Sequence, residues 1–311
     1  MSTEAEHWRI FHGDGRAPHP ADIPAPPAWR RPSLDGGRPR YVLGDADTDV
    51  VNAALHLRRP LLVTGVPGTG KSTLAHAIAE ELMLGEVLTW PVNSHSTLQD
   101  ALYRYDSIGR LHESSLRTAE VDIGDFIRLG PLGTALVSTK RPRVLLVDEM
   151  DKGDIDLPND LLNVLEQGTF EIPELTRMPA RTEPFRVLSM SGDSKVDVGH
   201  GMVLCEQFPV VVITSNGERD FPAAFRRRCI PLRLLSPDRD RLRTIISNHF
   251  TGVDLESVDV LLGEFLRRRD EGVQQLATDQ LLNAVFLRLG GADLSSVDLL
   301  GAIFSNLDSS D

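Results

Sequence analysis

A chain of 311 residues with a formal net charge of −12 has room for two domains and is too acidic to coat nucleic acid, which needs a basic field. Hydrophobic residues, 41% of the total, suffice for an ordinary core, yet no apolar run reaches the roughly 18 residues of a membrane-spanning helix. Cys205 and Cys229 are too few for a disulfide framework or a four-cysteine zinc site, and the N-terminus lacks a signal-peptide pattern, so a cytoplasmic protein is expected.

Residues 1–43 read as an extended arm rich in Pro and Gly, with Pro18, Pro20, Pro24, Pro26, Pro27, Pro32 and Pro39. Trp8 and Trp29 give this arm apolar handles for docking on the body, while His7, His12 and His19 have no metal-ligand spacing. From residue 44 the pattern becomes α/β, with a helix at Asp47–Leu57 leading into a first strand at Leu61–Val63.

That strand runs into Gly65-Val66-Pro67-Gly68-Thr69-Gly70-Lys71-Ser72, the G-x-x-x-x-G-K-[ST] phosphate-binding loop, and Thr73 continues into a helical run. The glycines let backbone N–H groups turn inward around a polyphosphate, and the new helix adds the positive end of its dipole. Lys71 is placed to reach the β/γ-phosphates and the Ser72 hydroxyl to hold Mg²⁺. A nucleoside triphosphate site follows.

Further buried strands are expected at Val87–Trp90, Val144–Val147, Val210–Ile213 and Ile230–Leu232, as in a parallel sheet covered on both faces. A helix starts at Pro158, places Leu157, Leu161, Val164 and Leu165 on one face and ends at Gly168. Residues 169–209 form an insertion in which Thr169–Ile172 alternates, with Arg186–Leu188 as a candidate partner in a β-hairpin. After residue 235 the chain reads as a small helical domain, with segments opening at Ser236-Pro237 and covering 255–267, 278–289 and 294–304.

Two more constellations carry chemistry. The strand Val144–Val147 ends in Asp148-Glu149, which puts one carboxylate beside the metal of a bound nucleotide and a second where it could act as general base. Asp148-Glu149-Met150-Asp151 also spells the D-E-x-D of superfamily 2 helicases, but about 240 residues after the loop are too few for two such domains. No N-K-x-D guanine signature occurs, which leaves adenine. The strand Val210–Ile213 continues to Thr214-Ser215-Asn216, whose amide could hold the attacking water, and then to Arg226-Arg227-Arg228, where an exposed arginine could act on a neighbouring subunit. The clusters Lys140–Arg143 and Arg267–Arg269 read as solvated faces.

Together, Gly65–Ser72, Asp148-Glu149, Asn216, Arg226–Arg228 and the helical segment resemble an AAA+ ATPase over about residues 44–290. Within that group Val147–Lys152 and the hairpin around Phe170–Ile172 resemble the MoxR branch. The resemblance implies a P-loop NTPase (RecA-like) α/β core at 44–234, a C-terminal helical lid at 235–311, and ATP with Mg²⁺ at the junction of a homo-oligomeric ring, commonly a hexamer. It makes Arg228 the arginine finger, with Arg227 next to it. The first turn of the third lid helix, Leu276-Ala277-Thr278-Asp279-Gln280, lacks the sensor arginine that family members usually carry, and Arg288 is badly spaced to replace it. By the same resemblance the partner is a protein to be remodelled, such as one with a von Willebrand A domain. Tyr103 and Tyr105 flanking Arg104 could grip a polypeptide or pack on the core. An ATP-assembled switch with slow turnover is the second reading, and a nucleic-acid motor, which the charge disfavours, the third.

Overall fold

The computed structural model describes residues 8, 10–11, 23–27, 41–116, 121–137, 140–179, 183–192, 194–250, 252–271, 276–294 and 297–304. His7, His12, Pro18, His19, Pro20, Trp29, Pro32 and Pro39 lie outside them. Two compact units emerge, one of Leu43–Gly65 with Gly70–Leu234, the other of Met1–Val42, Val66–Thr69 and Leu235–Asp311.

In chain order the first unit runs α1 (Asp45–Leu57), β1 (Leu61–Thr64), α2 (Lys71–Glu81), β2 (Leu88–Pro91), α3 (Leu98–Leu102), β3 (Tyr103–Tyr105), α4 (Ser107–Leu116), β4 (Ile127–Leu129), α5 (Pro131–Leu136) and β5 (Val144–Asp148). It continues through α6 (Leu157–Gln167), β6 (Thr169–Glu171), α7 (Pro173–Thr176), β7 (Phe185–Leu188), β8 (Lys195–Val198), β9 (Met202–Leu204), β10 (Val210–Ser215), α8 (Ala223–Arg228) and β11 (Ile230–Arg233).

Five of these strands make one parallel sheet in the order β11-β1-β10-β5-β2. Every residue of β10 is buried, as are Val144–Val147 of β5, which is what a strand covered on both faces requires. Register is fixed by pairs such as Leu61 with Val212 and Val210 with Val144. The strand that comes late in the chain, β10, therefore lies between the strand feeding the glycine-rich loop and the strand ending in Asp148.

Around this sheet α6 behaves as its sequence dictates. Pro158 sits in the first turn, Leu157, Leu161, Leu162 and Leu165 face inward, and Gly168 closes the helix; Val164 is only half-buried, and Leu162 takes its place in the core. The basic run before β5 is less solvated than expected. Arg141 donates to the carbonyls of Leu82 and Met83, just past the end of α2, and Arg143 donates to that of Glu86.

The insertion differs from the expected hairpin. β6 pairs antiparallel with β9, Phe170 opposite Val203, rather than with residues 186–188. Residues 185–188 instead form β7, the third strand of a second sheet ordered β3-β4-β7-β8. Alternation marks a strand without naming its partner. In that sheet Tyr103 is buried and its hydroxyl donates to Glu174 Oε2 at 2.9 Å, while Tyr105 packs against the core and its hydroxyl accepts from Arg110. Both tyrosines are structural.

The second unit contains α9 (Arg239–His249), α10 (Leu255–Asp270), α11 (Thr278–Leu289) and α12 (Val297–Ile303). Asp238 and Asp254 cap α9 and α10 by accepting from the N–H groups of Arg241 and Glu256. Leu242, Ile246, Leu262, Phe265, Leu281, Val285 and Phe304 form its core, and Trp8 of the arm packs against it. Arg267–Arg269 are spent on ion pairs: Glu264 accepts from Arg267 and Arg268, whose hydrogen bonds pull its carboxyl down to about 2. No helix among the described residues is long and apolar enough to cross a membrane.

Phe265 is 1% exposed and meets the Phe304 ring edge-on at 5.6 Å. Phe265→Ala should cost about 3–5 kcal/mol in denaturant unfolding of this unit. A loss under about 1 kcal/mol would mean that the helices close over the cavity.

Candidate functional site

The glycine-rich loop leaves β1 at Gly65 and enters α2 at Lys71. Gly70 is the residue before the helix and sits at φ +85°, in the left-handed region that a side chain disfavours. Gly68, at φ +75°, has a second reason to be glycine: a Cβ there would lie 2.4 Å from Cβ of Ala277. The start of α11 thus abuts the loop tip with a methyl group, and its Ala277 N–H is capped by Gln280 Oε1. Thr69 closes the loop on itself, donating to the Val66 carbonyl.

Lys71 is 8% exposed, and its ammonium donates to the Gly65 carbonyl at 2.9 Å. Burial lowers its pKa, opposed by the negative charges of Asp151, Asp148 and Glu149. A buried cation held by the loop's own backbone, under the influence of three carboxylates, has the chemistry to pair with a polyphosphate.

The centre of the site is one oxygen. Asp148 Oδ1 accepts from Ser72 Oγ at 2.6 Å and from Thr214 Oγ1 at 2.6 Å. Thr214 Oγ1 in turn accepts from the Glu149 backbone N–H at 2.8 Å. Glu149 follows with a left-handed backbone at φ +58°, uncommon for a residue with a side chain, and this turn swings the chain out of β5. Its carboxylate, half in solvent, accepts from Lys152 Nζ at 2.9 Å.

Beyond Thr214 the chain passes through Ser215 to Asn216 at the end of β10. Among the described residues the Asn216 side-chain amide has no hydrogen-bond partner, while its backbone N–H and that of Glu218 both donate to Asp151 Oδ2 at 3.0 Å. The short helix α8 carries the three arginines. Arg226 and Arg227 are exposed, and Arg228 is ion-paired with Glu166 of α6. Arg59, two residues before β1, closes the end of α8 by donating to the carbonyls of Arg227, Arg228 and Cys229. Burial pushes the Cys229 thiol up to about 12, so it is an inert core group.

The structure brings Lys71, Ser72, Asp148, Glu149 and Asn216 to the ends of β1, β5 and β10, with Gly65–Gly70 and Thr73 alongside in sequence. Arg227 and Arg228 lie on α8, where Arg227 is exposed and Arg228 pairs with Glu166. Sequence reasoning missed Thr214, Asp151 and Arg59, which act on backbone groups far away in the chain. Their one legible trace is polarity at the end of an otherwise apolar strand, or beside a charged motif.

The donor set fits a magnesium nucleotide. Ser72 and Asp148 offer hard oxygens within 2.6 Å of each other, which suit Mg²⁺, and the buried ammonium and the N–H groups of a glycine-rich loop at a helix start suit phosphate.

A parallel sheet in which the Asn216 strand separates the loop strand from the Asp148 strand defines a P-loop NTPase of AAA+ architecture. Residues 60–229, more than half of the chain, match the AAA domain family (dynein-related subfamily). The protein belongs to that family, and with it to the ATP-hydrolysing enzymes built on this fold. Among solved structures, a RuvB variant from Thermotoga maritima is 15% identical, with 83% of this chain and 66% of that one covered at a TM-score of 0.38. NtrX from Brucella abortus, in complex with ADP, is 16% identical, with coverage of 88% and 58% and a TM-score of 0.47. The chain thus spans less than two thirds of either. No curated protein matches the sequence.

Thr214→Val keeps the shape of the buried residue and removes its hydroxyl. It should cost about 1–3 kcal/mol in urea unfolding, because the Glu149 N–H and one lone pair of Asp148 lose their partner. An unchanged midpoint would show that water replaces the hydroxyl.

Proposed function

We propose that the chain is a MoxR-like AAA+ ATPase that hydrolyses ATP in a homo-oligomeric ring, a hexamer by family resemblance, and uses turnover to remodel or activate a protein partner. The observation that carries the nucleotide part is the Asp148 oxygen on which Ser72 and Thr214 converge, with Lys71 and Glu149 beside it. The Gly65–Gly70 loop, through its backbone N–H groups other than at Pro67, and Thr73 at the helix start cradle the phosphates, and Lys71 pairs with them. Ser72 and Asp148 would hold Mg²⁺, which when bound would supply positive charge to the polyphosphate. Glu149 accepts the proton of the attacking water and Asn216 orients that water. Arg228, or Arg227 beside it, completes the site of the adjacent subunit, which requires Arg228 to leave Glu166.

The organisation that goes with this reading is an arm at 1–43, a nucleotide-binding core at 44–234 carrying the 169–209 insertion, and a lid at 235–311, in a cytoplasmic protein. The partner class rests on the Val147–Lys152 resemblance, which supports a protein target, such as one with a von Willebrand A domain. A slow ATP-dependent assembly switch is the second reading. It is favoured by the first turn of α11, where Ala277, rather than an arginine, meets the loop.

The test is ATPase rate per subunit against protein concentration, with light-scattering mass followed in parallel. A rate that rises with assembly supports a trans-acting arginine; a flat, near-zero rate with tight ATP binding selects the switch. Lys71→Ala should abolish nucleotide binding. Glu149→Gln should retain binding and lose turnover by about 10²–10⁴-fold. Normal turnover in Glu149→Gln would remove the general-base role. Arg228→Ala should lose turnover while the monomer still binds nucleotide.

A further inference from the structure

Asp151 stands three residues beyond Asp148, in the short 3-10 turn Met150–Lys152, and has no part in the roles assigned so far. It is 3% exposed, one of the few charged side chains buried in the described core. Burying a carboxylate is costly unless it is hydrogen-bonded or paired, so its contacts deserve an explanation. Oδ2 accepts two backbone N–H groups, from Asn216 and Glu218, both at 3.0 Å. Oδ1 is buried and, among the described residues, has no partner. All the bonding of this carboxylate is therefore directed at one loop.

That loop begins where β10 ends. Ser215 Oγ accepts from the Gly217 N–H at 3.0 Å, and Gly217 itself is at φ +81°, so the chain reverses immediately after Asn216. A second tether lies next door, where Arg219 donates to the Gly153 carbonyl at 2.7 Å. The segment after β10 is thus bound to the turn after β5 by two sets of contacts, and Asp151 supplies the ones nearest Asn216. Its bonds grip backbone on both sides of Gly217 and leave the Asn216 amide uncommitted.

We propose that Asp151 is the positioning residue for Asn216, fixing the backbone of the 216–218 turn to the strand that carries Asp148 and Glu149. The inference rests on the reading of Asn216 as the group that orients the attacking water. Two strand ends must hold that water from different directions, one through the Glu149 carboxylate and one through the Asn216 amide. A displacement of about 1 Å at such a contact can cost roughly 10²-fold in rate. The Asp151 clamp sets the distance between those two ends. Its negative charge also opposes the burial of Lys71, which ties the clamp electrostatically to the phosphate side of the site.

The experiment is a double-mutant cycle on the full-length chain, reading kcat and nucleotide affinity separately. Asp151→Ala should lower kcat by about 10–100-fold and leave ATP affinity within about 3-fold. Asp151→Asn keeps an acceptor oxygen for the two N–H groups and should recover most of that loss. Adding Asp151→Ala to Asn216→Ala should give little further loss, since both remove one function. Multiplicative losses would overturn the proposal, as would wild-type kcat in Asp151→Ala or equal losses in Asp151→Ala and Asp151→Asn. If Asp151→Ala does not fold, Asp151→Asn and its combination with Asn216→Ala decide the question by the same criteria. Wild-type turnover in Asn216→Ala would instead remove the water-orienting role on which the proposal depends, whereas a loss there with a normal Asp151→Ala would defeat the clamp alone.

Discussion

Everything at the site hangs on the spacing of a parallel sheet. Neighbouring strands lie about 4.8 Å apart, so with β10 between them the ends of β1 and β5 are separated by about 10 Å. No hydrogen bond spans that gap. Asp148 meets Ser72 because the loop after β1 lifts the start of α2 over the sheet end, and because the intervening strand offers Thr214 as a bridge. One carboxylate oxygen thereby joins three consecutive strands of the sheet, through one helix start, one bridging hydroxyl and its own chain.

This constraint explains which features the sequence disclosed. The loop, the Asp148-Glu149 pair and the buried strands are local patterns: each is determined by residues within a few positions of one another, and physics at that range is readable. So are Pro158 and Gly168 at the ends of α6, and the apolar faces of α9 to α11. Thr214 is different. A threonine closing a strand of valines and isoleucine reads as an ordinary β-former, and only Asp148 at the end of the adjacent strand, 66 residues back in the chain, gives its hydroxyl a task. Asp151 and Arg59 were illegible for the same reason, since both bind backbone groups, which carry no residue identity. The partner of β6 was hidden because alternation fixes the face of a strand and says nothing of its neighbour.

The charges follow a similar division. A net charge of −12 disfavours a nucleic-acid surface on electrostatic grounds, but the sign of a cluster says little about its use. Arg59, Arg141 and Arg143 spend their guanidinium groups on backbone carbonyls, a task that suits a planar fork of donors better than an ammonium. Arg267 and Arg268 neutralise Glu264 within one helix. Arg226 and Arg227 remain as exposed cations on a helix that Arg59 holds in place, and this separates them from the structural arginines.

The two ends of the water-binding geometry are held with unequal firmness. On one side Glu149 has its backbone fixed in a left-handed turn, but its carboxylate, half in solvent, pairs with the partly exposed Lys152. An exposed pair of this kind contributes about 0–1 kcal/mol, too little to lock the side chain. On the other side the Asn216 backbone is clamped by a buried carboxylate through bonds of the charge-assisted kind, roughly twice as strong as neutral ones. On the proposed reading, an orienting amide on a firmly seated backbone and a mobile carboxylate form an asymmetric pair, in which the group that takes up and releases a proton keeps its freedom. Arg228 shares the first character, since its pairing with Glu166 is half-exposed and readily exchanged. On the proposed reading, the groups that change partners during turnover are the loosely paired Glu149 and Arg228, while Asp151, which fixes the turn after β10, is buried.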